Sequence, residues 1–580
     1  MTNINVSALD GSNGFIIQGV AQDGNLGDAV SNAGDINGDG LADIIIGARD
    51  VDINGDDNEG QVSIIFGSSE EFSSRIAVSD LDGTNGFTID GISPEQRLGT
   101  SVSSAGDINN DGVADIIIGA DNTDNDRGSS YVVFGNSSIG NGVDLNSLDG
   151  TNGFVVNGIA EGDFLGSSVS DAGDINNDGI DDVVIGANRA DPNGNEDAGA
   201  SYVIFGQESQ FTEEVSLTTL DGNNGFAING VNPGDFSGIS VSSAGDLNGD
   251  SIDDLLIGAN RADPETGENA GITYVVFGNE GGFAAELDLS ILSANGIIIN
   301  GIAAGNGSGT SVSALGDING DGLSDIGIGA PPAIVGEDNA GQGYVLFGTE
   351  SEFADNSFDL SNLDGNNGFT LNGIGAGDSL GTSISDAGDV NNDGLADFII
   401  SAIGSPDEPG TSYVVYGQES GFDATLDLSD LSIDRGFTIE GITAEDRAGE
   451  SVSGVGDING DGVDDLLVGA PQANNFQIEG SNAPRDAGEA YVVFGSGEGS
   501  GDFNVGDVDN DGAYTNSDVA QISQAAVGLI SEFEAYAGVD PLSVADVNGD
   551  GVISALDSAI VYSAANNTGI SDIILPDLDG

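Results

Sequence analysis

Residues 34–48 read Gly-Asp-Ile-Asn-Gly-Asp-Gly-Leu-Ala-Asp-Ile-Ile-Ile-Gly-Ala, a Gly- and Asp-rich loop followed at once by an apolar run. The segment occurs seven times, 67 to 72 residues apart, and its first Asp is Asp35, Asp107, Asp174, Asp246, Asp317, Asp389 or Asp457. Self-similarity at a nearly fixed period is typical of repeat architectures. The fold therefore depends on what one unit of the repeat forms.

Each unit contains four short apolar stretches in the same order, separated by Gly, Asn and Asp. In the first unit these stretches begin at Gly27, Ile44, Ser63 and Gly86. Stretches of this length and composition read as strands of one antiparallel sheet. Four strands per unit and seven units predict an all-β chain, a seven-bladed β-propeller over residues 1–495. A stacked solenoid is the alternative, although solenoid repeats usually have only about 20–45 residues.

The chain begins out of phase with its own repeat. The signature of the fourth strand, Gly-Phe-x-Ile-x-Gly, first occurs at residues 14–19, before any Asp-rich loop, and the seventh unit ends at residues 491–495 without it. We therefore expect the N-terminal strand to complete the seventh blade and to close the ring by main-chain hydrogen bonds, which removes two open sheet edges.

The composition excludes much chemistry. There are 98 Asp and Glu against nine basic residues, all Arg, for a formal charge of -89, and Lys, His, Cys and Trp are absent. This rules out disulfides, zinc fingers, thiol nucleophiles, Ser-His relays, Schiff bases and phosphate-binding loop lysines. So negative a chain is expected to bind neither nucleic acid nor anionic lipid. What remains is oxygen chemistry, which suits hard cations such as calcium.

The loops place oxygen donors at regular positions. Asp35, Asn37, Asp39 and Asp43 stand at positions 1, 3, 5 and 9, the main-chain carbonyl of Leu41 is available at position 7, and Gly at position 6 allows the turn. We predict a calcium site in every copy. The predicted ligands in the other six are Asp107, Asn109, Asp111, Val113, Asp115; Asp174, Asn176, Asp178, Ile180, Asp182; Asp246, Asn248, Asp250, Ile252, Asp254; Asp317, Asn319, Asp321, Leu323, Asp325; Asp389, Asn391, Asp393, Leu395, Asp397; and Asp457, Asn459, Asp461, Val463, Asp465.

The alternative interpretation is that Asn-Gly and Asp-Gly only make hairpin turns. A turn does not need three carboxylates, and three carboxylates about 5 Å apart would repel one another by roughly 3 kcal/mol per pair. We therefore expect metal removal to loosen the loops. The fourth loop is expected to be the weakest, because Ser251 stands where the other copies have Gly.

These residues resemble the FG-GAP repeats of the integrin α-subunit propeller, whose Gly-Ala-Pro occurs at residues 329–331 and 469–471. The resemblance implies calcium in the loops between first and second strands, on one face, and partner binding on the opposite face. That face would include the connections at residues 49–60, 260–271 and 471–488. The alternative is that these connections are only solvated connectors and contact no partner. The single Arg residues in such connections are expected to form local salt bridges: Arg49, Arg127, Arg189, Arg261 and Arg485.

A separate module follows a Gly/Ser linker at residues 496–502. Two loops of residues 503–568 have EF-hand spacing, with Asp in place of Glu at position 12, and helical periodicity after each. They resemble a dockerin, which implies docking onto a cohesin-like protein; a calcium-stapled cap without that partner is the alternative. Residues 569–580 are an export signal or a frayed end. The predicted ligands are Asp507, Asp509, Asp511, Ala513, Asp518; and Asp546, Asn548, Asp550, Val552, Asp557.

The sequence thus predicts about nine Ca²⁺ sites and a calcium-binding adhesion protein. Its propeller would bind a protein or glycan ligand. Residues 1–6 show no leader and no apolar run approaches the roughly 20 residues of a membrane span, so we expect an extracellular or cell-surface location, reached by a leaderless route or after loss of a leader. We predict no enzyme; a carbohydrate-active enzyme using carboxylate pairs is the alternative, and an acidic structural coat a third hypothesis.

Overall fold

The structure, a computed structural model, describes residues 2–53, 57–292, 295–332, 340–350, 356–404, 408–419, 421–473 and 486–496. They belong to one compact unit, Met1–Gly497. The predicted dockerin-like module and the tail fall in the second unit, Glu498–Gly580, and lie outside the described residues.

The described strands form seven sheets, which we number as blades 1 to 7 in chain order. In every blade four strands pair antiparallel, from an inner first strand to an outer fourth strand. The four strands of each are Ala29–Gly34, Asp43–Ala48, Gln61–Ile65, Gly86–Asp90 (blade 1); Ser101–Ser104, Ile116–Ala120, Ser129–Val133, Gly153–Asn157 (blade 2); Leu165–Gly173, Asp182–Ala187, Ala200–Ile204, Gly225–Asn229 (blade 3); Ser240–Gly245, Asp254–Ala259, Ile272–Val276, Gly296–Asn300 (blade 4); Ser311–Gly316, Asp325–Ala330, Gln342–Leu346, Gly368–Asn372 (blade 5); Leu380–Gly388, Asp397–Ala402, Thr411–Val415, Gly436–Glu440 (blade 6); and Val452–Gly456, Asp465–Ala470, Glu489–Val493, Gly14–Gln18 (blade 7).

The ring is closed by the N-terminal strand, as the sequence predicts. Gly14–Gln18 pairs antiparallel with Glu489–Val493, with Phe15 opposite Val492. The side chain of Gln18 adds a hydrogen bond, its Nε2 donating to Glu489 Oε1 at 2.9 Å. The inner strands of neighbouring blades contact one another all the way round, blade 7 touching blade 1. A closed propeller is therefore correct, and the solenoid alternative is wrong.

Six blades carry a fifth, outermost strand that the sequence analysis did not predict. It pairs parallel with the fourth strand and comes from a distant part of the chain, so it ties blades together. These strands are Thr2–Asn5 (blade 6), Arg75–Ala77 (blade 7), Glu214–Val215 (blade 2), Glu286–Asp288 (blade 3), Ser357–Asp359 (blade 4) and Thr425–Asp427 (blade 5). The described helical turns are short: Thr123–Asp126, and 3-10 turns at Val6–Ala8, Val78–Asp80, Ile139–Asn141, Leu145–Ser147, Pro192–Gly194, Leu217–Thr219, Leu289–Ile291, Leu360–Asn362 and Leu428–Asp430.

The core consists of seven apolar clusters, one between each pair of neighbouring blades. Consecutive residues of a second strand face opposite neighbours: Ile44 and Ile46 pack in the cluster shared with blade 7, whereas Ile45 packs in the cluster shared with blade 2. All three are fully buried. Because both faces of a blade are covered, its central strands are continuous apolar runs rather than alternating ones.

Candidate metal centre

All seven predicted loops connect an inner strand to a second strand, so they lie together on one face of the ring, which we call the loop face. Gly40 has a φ of 93°, and the equivalent Gly residues of the other loops are also left-handed. Ser251 in the fourth loop adopts the same conformation, with a φ of 69°. A side chain with a β-carbon is disfavoured there, and the other six loops have Gly at this position.

The first and fifth positions of each loop are held by the loop's own main chain. Asp35 accepts hydrogen bonds from the amides of Asp39 at 2.9 Å and Gly40 at 2.8 Å. Asp39 in turn accepts one from the amide of Leu41 at 3.0 Å. The pattern recurs in the other loops, for example at Asp174. The loop backbone is therefore shaped around its carboxylates.

The ninth position is buried in every loop. Asp43 accepts hydrogen bonds from the amides of Ile36 at 3.1 Å and of Gly67, at the end of the third strand, at 2.8 Å. Asn37 reaches the same carboxylate with its Nδ2 at 3.4 Å. These side chains are 0% exposed in all seven loops: Asp43, Asp115, Asp182, Asp254, Asp325, Asp397 and Asp465.

Burial makes these carboxyl groups weak acids in the metal-free fold. Desolvation raises the pKa of Asp43 to about 7 and that of Asp182 to about 9. The negative charges at positions 5 and 1 of the same loop raise it further, while hydrogen bonds from main-chain amides oppose the rise. The pKa is raised to about 8 at the other five: Asp115, Asp254, Asp325, Asp397 and Asp465.

The described Arg residues do not neutralise this charge. Among the described residues, the ion pairs of Arg side chains involve none of the loop carboxylates. The same part of the chain contains no group of three or more acidic side chains gathered as they stand into a metal-binding cluster. The donor set of carboxylates, amide and carbonyl nevertheless fits a hard cation.

The seven loops are linked to one another in a continuous circle. At four junctions the amide of position 8 donates to the position 1 carbonyl of the preceding loop, as Ala114 does to Asp35 at 3.3 Å. At the other three the side chain of position 8 accepts from the position 1 amide: Asp181 from Asp107, Asp253 from Asp174 and Asp464 from Asp389, at 2.8 to 2.9 Å. A shift in one loop is thus felt directly by its neighbour.

A second circle reinforces the first. The residue after the Gly that ends each third strand donates its amide to the position 2 carbonyl of the preceding loop, at 2.8 to 3.0 Å. The seven pairs are Ser68 with Ile458, Asn136 with Ile36, Gln207 with Ile108, Asn279 with Ile175, Thr349 with Leu247, Gln418 with Ile318 and Ser496 with Val390. The sequence analysis did not find this coupling, since it joins residues of different units.

Two inner strands add acids that the sequence analysis also missed. Burial raises the pKa of Asp171 to about 7, and the charges of Asp181 and Asp253 raise it further. Burial likewise raises the pKa of Asp386 to about 6, with the charge of Asp464 adding to the rise. The position 8 carboxylates therefore accept hydrogen bonds within the loop circle and also raise the pKa of these acids on the inner strands.

The Arg predictions have mixed outcomes. Arg49 pairs with Asp28 at 2.6 Å and Arg127 with Asp124 at 3.2 Å, as expected. Within the described residues Arg189 and Arg261 form no ion pair, so for them the prediction is wrong; both lie over phenylalanine rings instead. Each of these guanidinium groups contacts an aromatic face rather than a carboxylate. Arg485, like the two EF-hand-type loops, lies outside the described residues.

Comparison with known protein families agrees with this geometry. The FG-GAP repeat family model matches six stretches, residues 26–65, 98–133, 166–204, 237–276, 308–346 and 448–493, each with its loop and flanking strands. Over these stretches the chain is similar to FG-GAP repeats. The six stretches leave out residues 347–447, where the structure places blade 6 with the same loop and hydrogen bonds. The dockerin type I domain model matches residues 505–566.

Curated relatives share the repeats over part of their length. Integrin alpha-PS2 of Drosophila melanogaster is 28% identical over 244 residues, 41% of this chain and 16% of that protein. Integrin alpha-2 of Bos taurus is 32% identical over 164 residues, 27% of this chain and 13% of that protein. Phosphatidylinositol-glycan-specific phospholipase D of Bos taurus is 27% identical over 434 residues, 72% of this chain and 47% of that protein. The matched region thus spans less than half of each of these relatives.

The described residues contain no helix long and apolar enough to cross a lipid bilayer.

Proposed function

We propose that this chain is a calcium-stabilised binding or adhesion protein that works outside the cell or at its surface. The observation that carries the proposal is the division of the ring into two unlike faces. The loop face repeats one anionic loop, without a basic side chain, seven times, with a buried carboxylate in each. The opposite face is formed by connections that differ from blade to blade, and varied connections on a rigid scaffold are where binding tends to reside.

Calcium is the cation we assign to the loops. The proposed ligands are the side chains at positions 1, 3, 5 and 9 and the position 7 carbonyl, as predicted from the sequence. Calcium would supply the positive charge that no Arg provides, and so would stabilise the folded form over the unfolded one. The two EF-hand-type loops of the dockerin-like module bring the proposed total to about nine sites.

The dockerin-like module is proposed to attach the chain to a cohesin-like protein, leaving the propeller to bind a second partner. Both partners are proteins in the simplest version, and a glycan on the propeller is the variant developed below. Similarity to relatives named as integrins favours an adhesion role. Similarity to a relative named as a phospholipase D favours the alternative that the chain is an enzyme.

The enzymatic alternative needs a pair of carboxyl groups outside the loops. A glycosidase pair would be about 5–9.5 Å apart. Outside the loops, burial raises the pKa of Asp171 to about 7 and that of Asp386 to about 6, both on inner strands. Their acidic neighbours Asp181, Asp253 and Asp464 are already engaged by loop amides. Burial also raises the pKa of Asp28 to about 6, but Asp28 is paired with Arg49. We therefore propose a binding role and no catalytic one.

The test uses the full chain, attached through its C-terminal end, against panels of surface proteins and glycans with calcium or with a chelator. We expect a saturable partner in calcium, and loss of both binding and thermal stability in chelator. Calorimetric melting of the same sample provides the stability control. A melting curve unchanged by chelator, together with no saturable partner, would contradict the proposal. Turnover of a glycan or a phosphodiester in the panel would support the enzymatic alternative instead.

A further inference from the structure

Blades 3 and 4 share a feature on the face opposite the loops. After the second strand each has Asn-Arg-Ala-Asp-Pro, at residues 188–192 and 260–264, and before the inner strand each has Gly-Asp-Phe, at residues 162–164 and 234–236. The structure brings the two motifs together: the guanidinium carbon of Arg189 lies 4.8 Å from the centre of the Phe164 ring and 5.5 Å from that of Phe236. Arg261 lies 4.4 Å from the same Phe236 ring. We call these four residues the Arg–Phe ladder.

The two Phe residues adopt a backbone conformation that is unfavourable for a bulky side chain. Phe164 and Phe236 have φ values of 56° and 57°, in the left-handed region that a bulky side chain rarely adopts. The turn is the same in all blades, because the equivalent residues, Asn25, Arg97, Gly307, Ser379 and Arg447, also have positive φ. Asn or Gly makes this turn with less strain. Phe stands at this position in two adjacent blades, and in both its ring lies against a guanidinium group.

The two Arg side chains are free at their edges. Both are exposed, and within the described residues neither forms an ion pair, although the chain has 98 acidic residues. A guanidinium whose face lies against a ring keeps its N–H groups in the plane for a two-pronged bond to a carboxylate. Since the unit occurs twice, one blade apart, a ligand that engages both must repeat its anionic group along a chain.

Acidic side chains close in sequence to the ladder further restrict the class of ligand that would fit it. Asp191 and Asp263 follow Arg189 and Arg261 by two residues and are exposed. The Oδ1 of each accepts a main-chain amide, from Asp197 at 2.8 Å and from Asn269 at 2.6 Å. The structure shows no such bond to their Oδ2 atoms among the described residues. A guanidinium next to a carboxylate suits a sugar that carries both an acid group and hydroxyl donors.

We propose that the Arg–Phe ladder binds an acidic polysaccharide built from uronic acids. The uronate carboxylates would pair with Arg189 and Arg261, and neighbouring hydroxyl groups would donate to Asp191 and Asp263. An acidic peptide fits less well, because it offers carboxylates without the hydroxyl groups that could donate to Asp191 and Asp263. This inference rests on the proposed binding function and names the ligand class for its propeller.

The experiment measures binding of a galacturonate hexamer to the full chain by titration calorimetry at constant calcium and near-physiological salt. Poly-L-glutamate and a neutral dextran oligomer are the comparison ligands. The variants are the double substitution Arg189→Gln with Arg261→Gln, the double Arg189→Lys with Arg261→Lys, and Phe236→Leu. Arg75→Gln is the control for the loss of one positive charge away from the ladder, because Arg75 lies on an outer strand and pairs with Glu489. Melting temperatures in calcium check that every variant is folded.

We expect saturable binding of the hexamer. The double Gln substitution should weaken the affinity at least about tenfold, which is the effect of losing one residue that contributes strongly to binding. The double Lys variant should also bind more weakly, because it keeps the charge and loses the planar fork, and Phe236→Leu should weaken binding with both Arg retained. Arg75→Gln should bind as the unmodified chain does. Binding unchanged by the double Gln substitution would overturn the proposal.

Equal or tighter binding of poly-L-glutamate would overturn the uronate assignment in favour of an acidic peptide. If the hexamer does not bind while another member of the wider panel binds in calcium, the ladder proposal fails and the binding function stands. If nothing in the panel binds, the proposed function fails with it.

Discussion

Replacement of Asp182 by Asn should change stability in opposite directions with and without calcium. Asp182 stands at position 9 of the third loop, is fully buried, and has its pKa raised from 3.8 to about 9 by burial and by the charges of Asp178 and Asp174. In the metal-free fold the protonated form is favoured, so the folded state binds more protons than the unfolded state between these two values. The contribution of Asp182 to the free energy of unfolding is fully present below pH 3.8 and is lost as the pH rises towards about 9.

The magnitude follows from the same values. At 1.36 kcal/mol per pH unit, keeping this carboxyl group protonated at pH 8, about 4 pH units above its ordinary pKa of 3.8, costs the metal-free fold roughly 6 kcal/mol. Asn keeps the shape and can still accept the hydrogen bond that Gly206 donates at 2.9 Å, but the bond is weaker than one to a charged group. We therefore expect a net gain of about 2 kcal/mol without metal at pH 8. In calcium the variant loses an anionic ligand and should be less stable than the unmodified chain.

The assay is calorimetric melting of both chains from pH 5 to 8, in chelator and in saturating calcium. Without metal, the unmodified chain should melt at lower temperature as the pH rises, and the variant should show less of this loss. The Asn176→Ala substitution serves as a control, since it removes a loop side chain without removing a titrating group. Destabilisation by Asp182→Asn in both media, or a flat pH profile of the metal-free chain, would refute the reasoning.

Three further predictions concern the ring and its loops. Ser251→Gly should raise the stability by about 1 kcal/mol, since it removes a β-carbon from a left-handed turn, and Gly322→Ser should lower it by a similar amount; urea unfolding in calcium compares the two, and equal effects of the same sign would count against it. Phe15→Ala should cost about 3–5 kcal/mol, because Phe15 is fully buried at the closure strand and stacks on Phe72 at 4.5 Å; hydrogen exchange should then rise first in blades 7 and 1, whereas a uniform rise would contradict closure as the weak point. Asp253→Ala leaves the amide of Asp174 without its partner and should weaken calcium binding in the third loop more than in the sixth, as read by titration of each loop with a luminescent lanthanide; an equal effect would argue against loop coupling.

Much of the fold follows from local pattern in the sequence. The Asp-rich loops mark each turn between the first and second strands, and the apolar runs such as Ile44-Ile45-Ile46 mark strands covered on both faces. The early Gly-Phe motif of residues 14–19 also predicts how the ring closes. These signals are strong because each depends on residues next to one another in the chain.

The features that escaped prediction depend on neighbours in space. The fifth strands are only two to four residues long, as in Glu214–Val215, and carry no periodicity. Position 8 alternates between Ala or Ser and Asp for a reason visible only across a blade junction, where Asp253 meets the amide of Asp174. Arg189 could not be assigned to a ring rather than to a carboxylate, since neither Phe164 nor Phe236 is close to it in the sequence.

The closing strand also has a consequence for biosynthesis. Gln18 and Glu489, joined by a side-chain bond, are 471 residues apart in the chain. The strand Gly14–Gln18 must therefore wait for its antiparallel partner until nearly the whole propeller has been synthesised, and long-range pairings of this kind are slow to form and prone to aggregation. A circularly permuted gene that starts between two blades would keep every contact of the disc while shortening that wait.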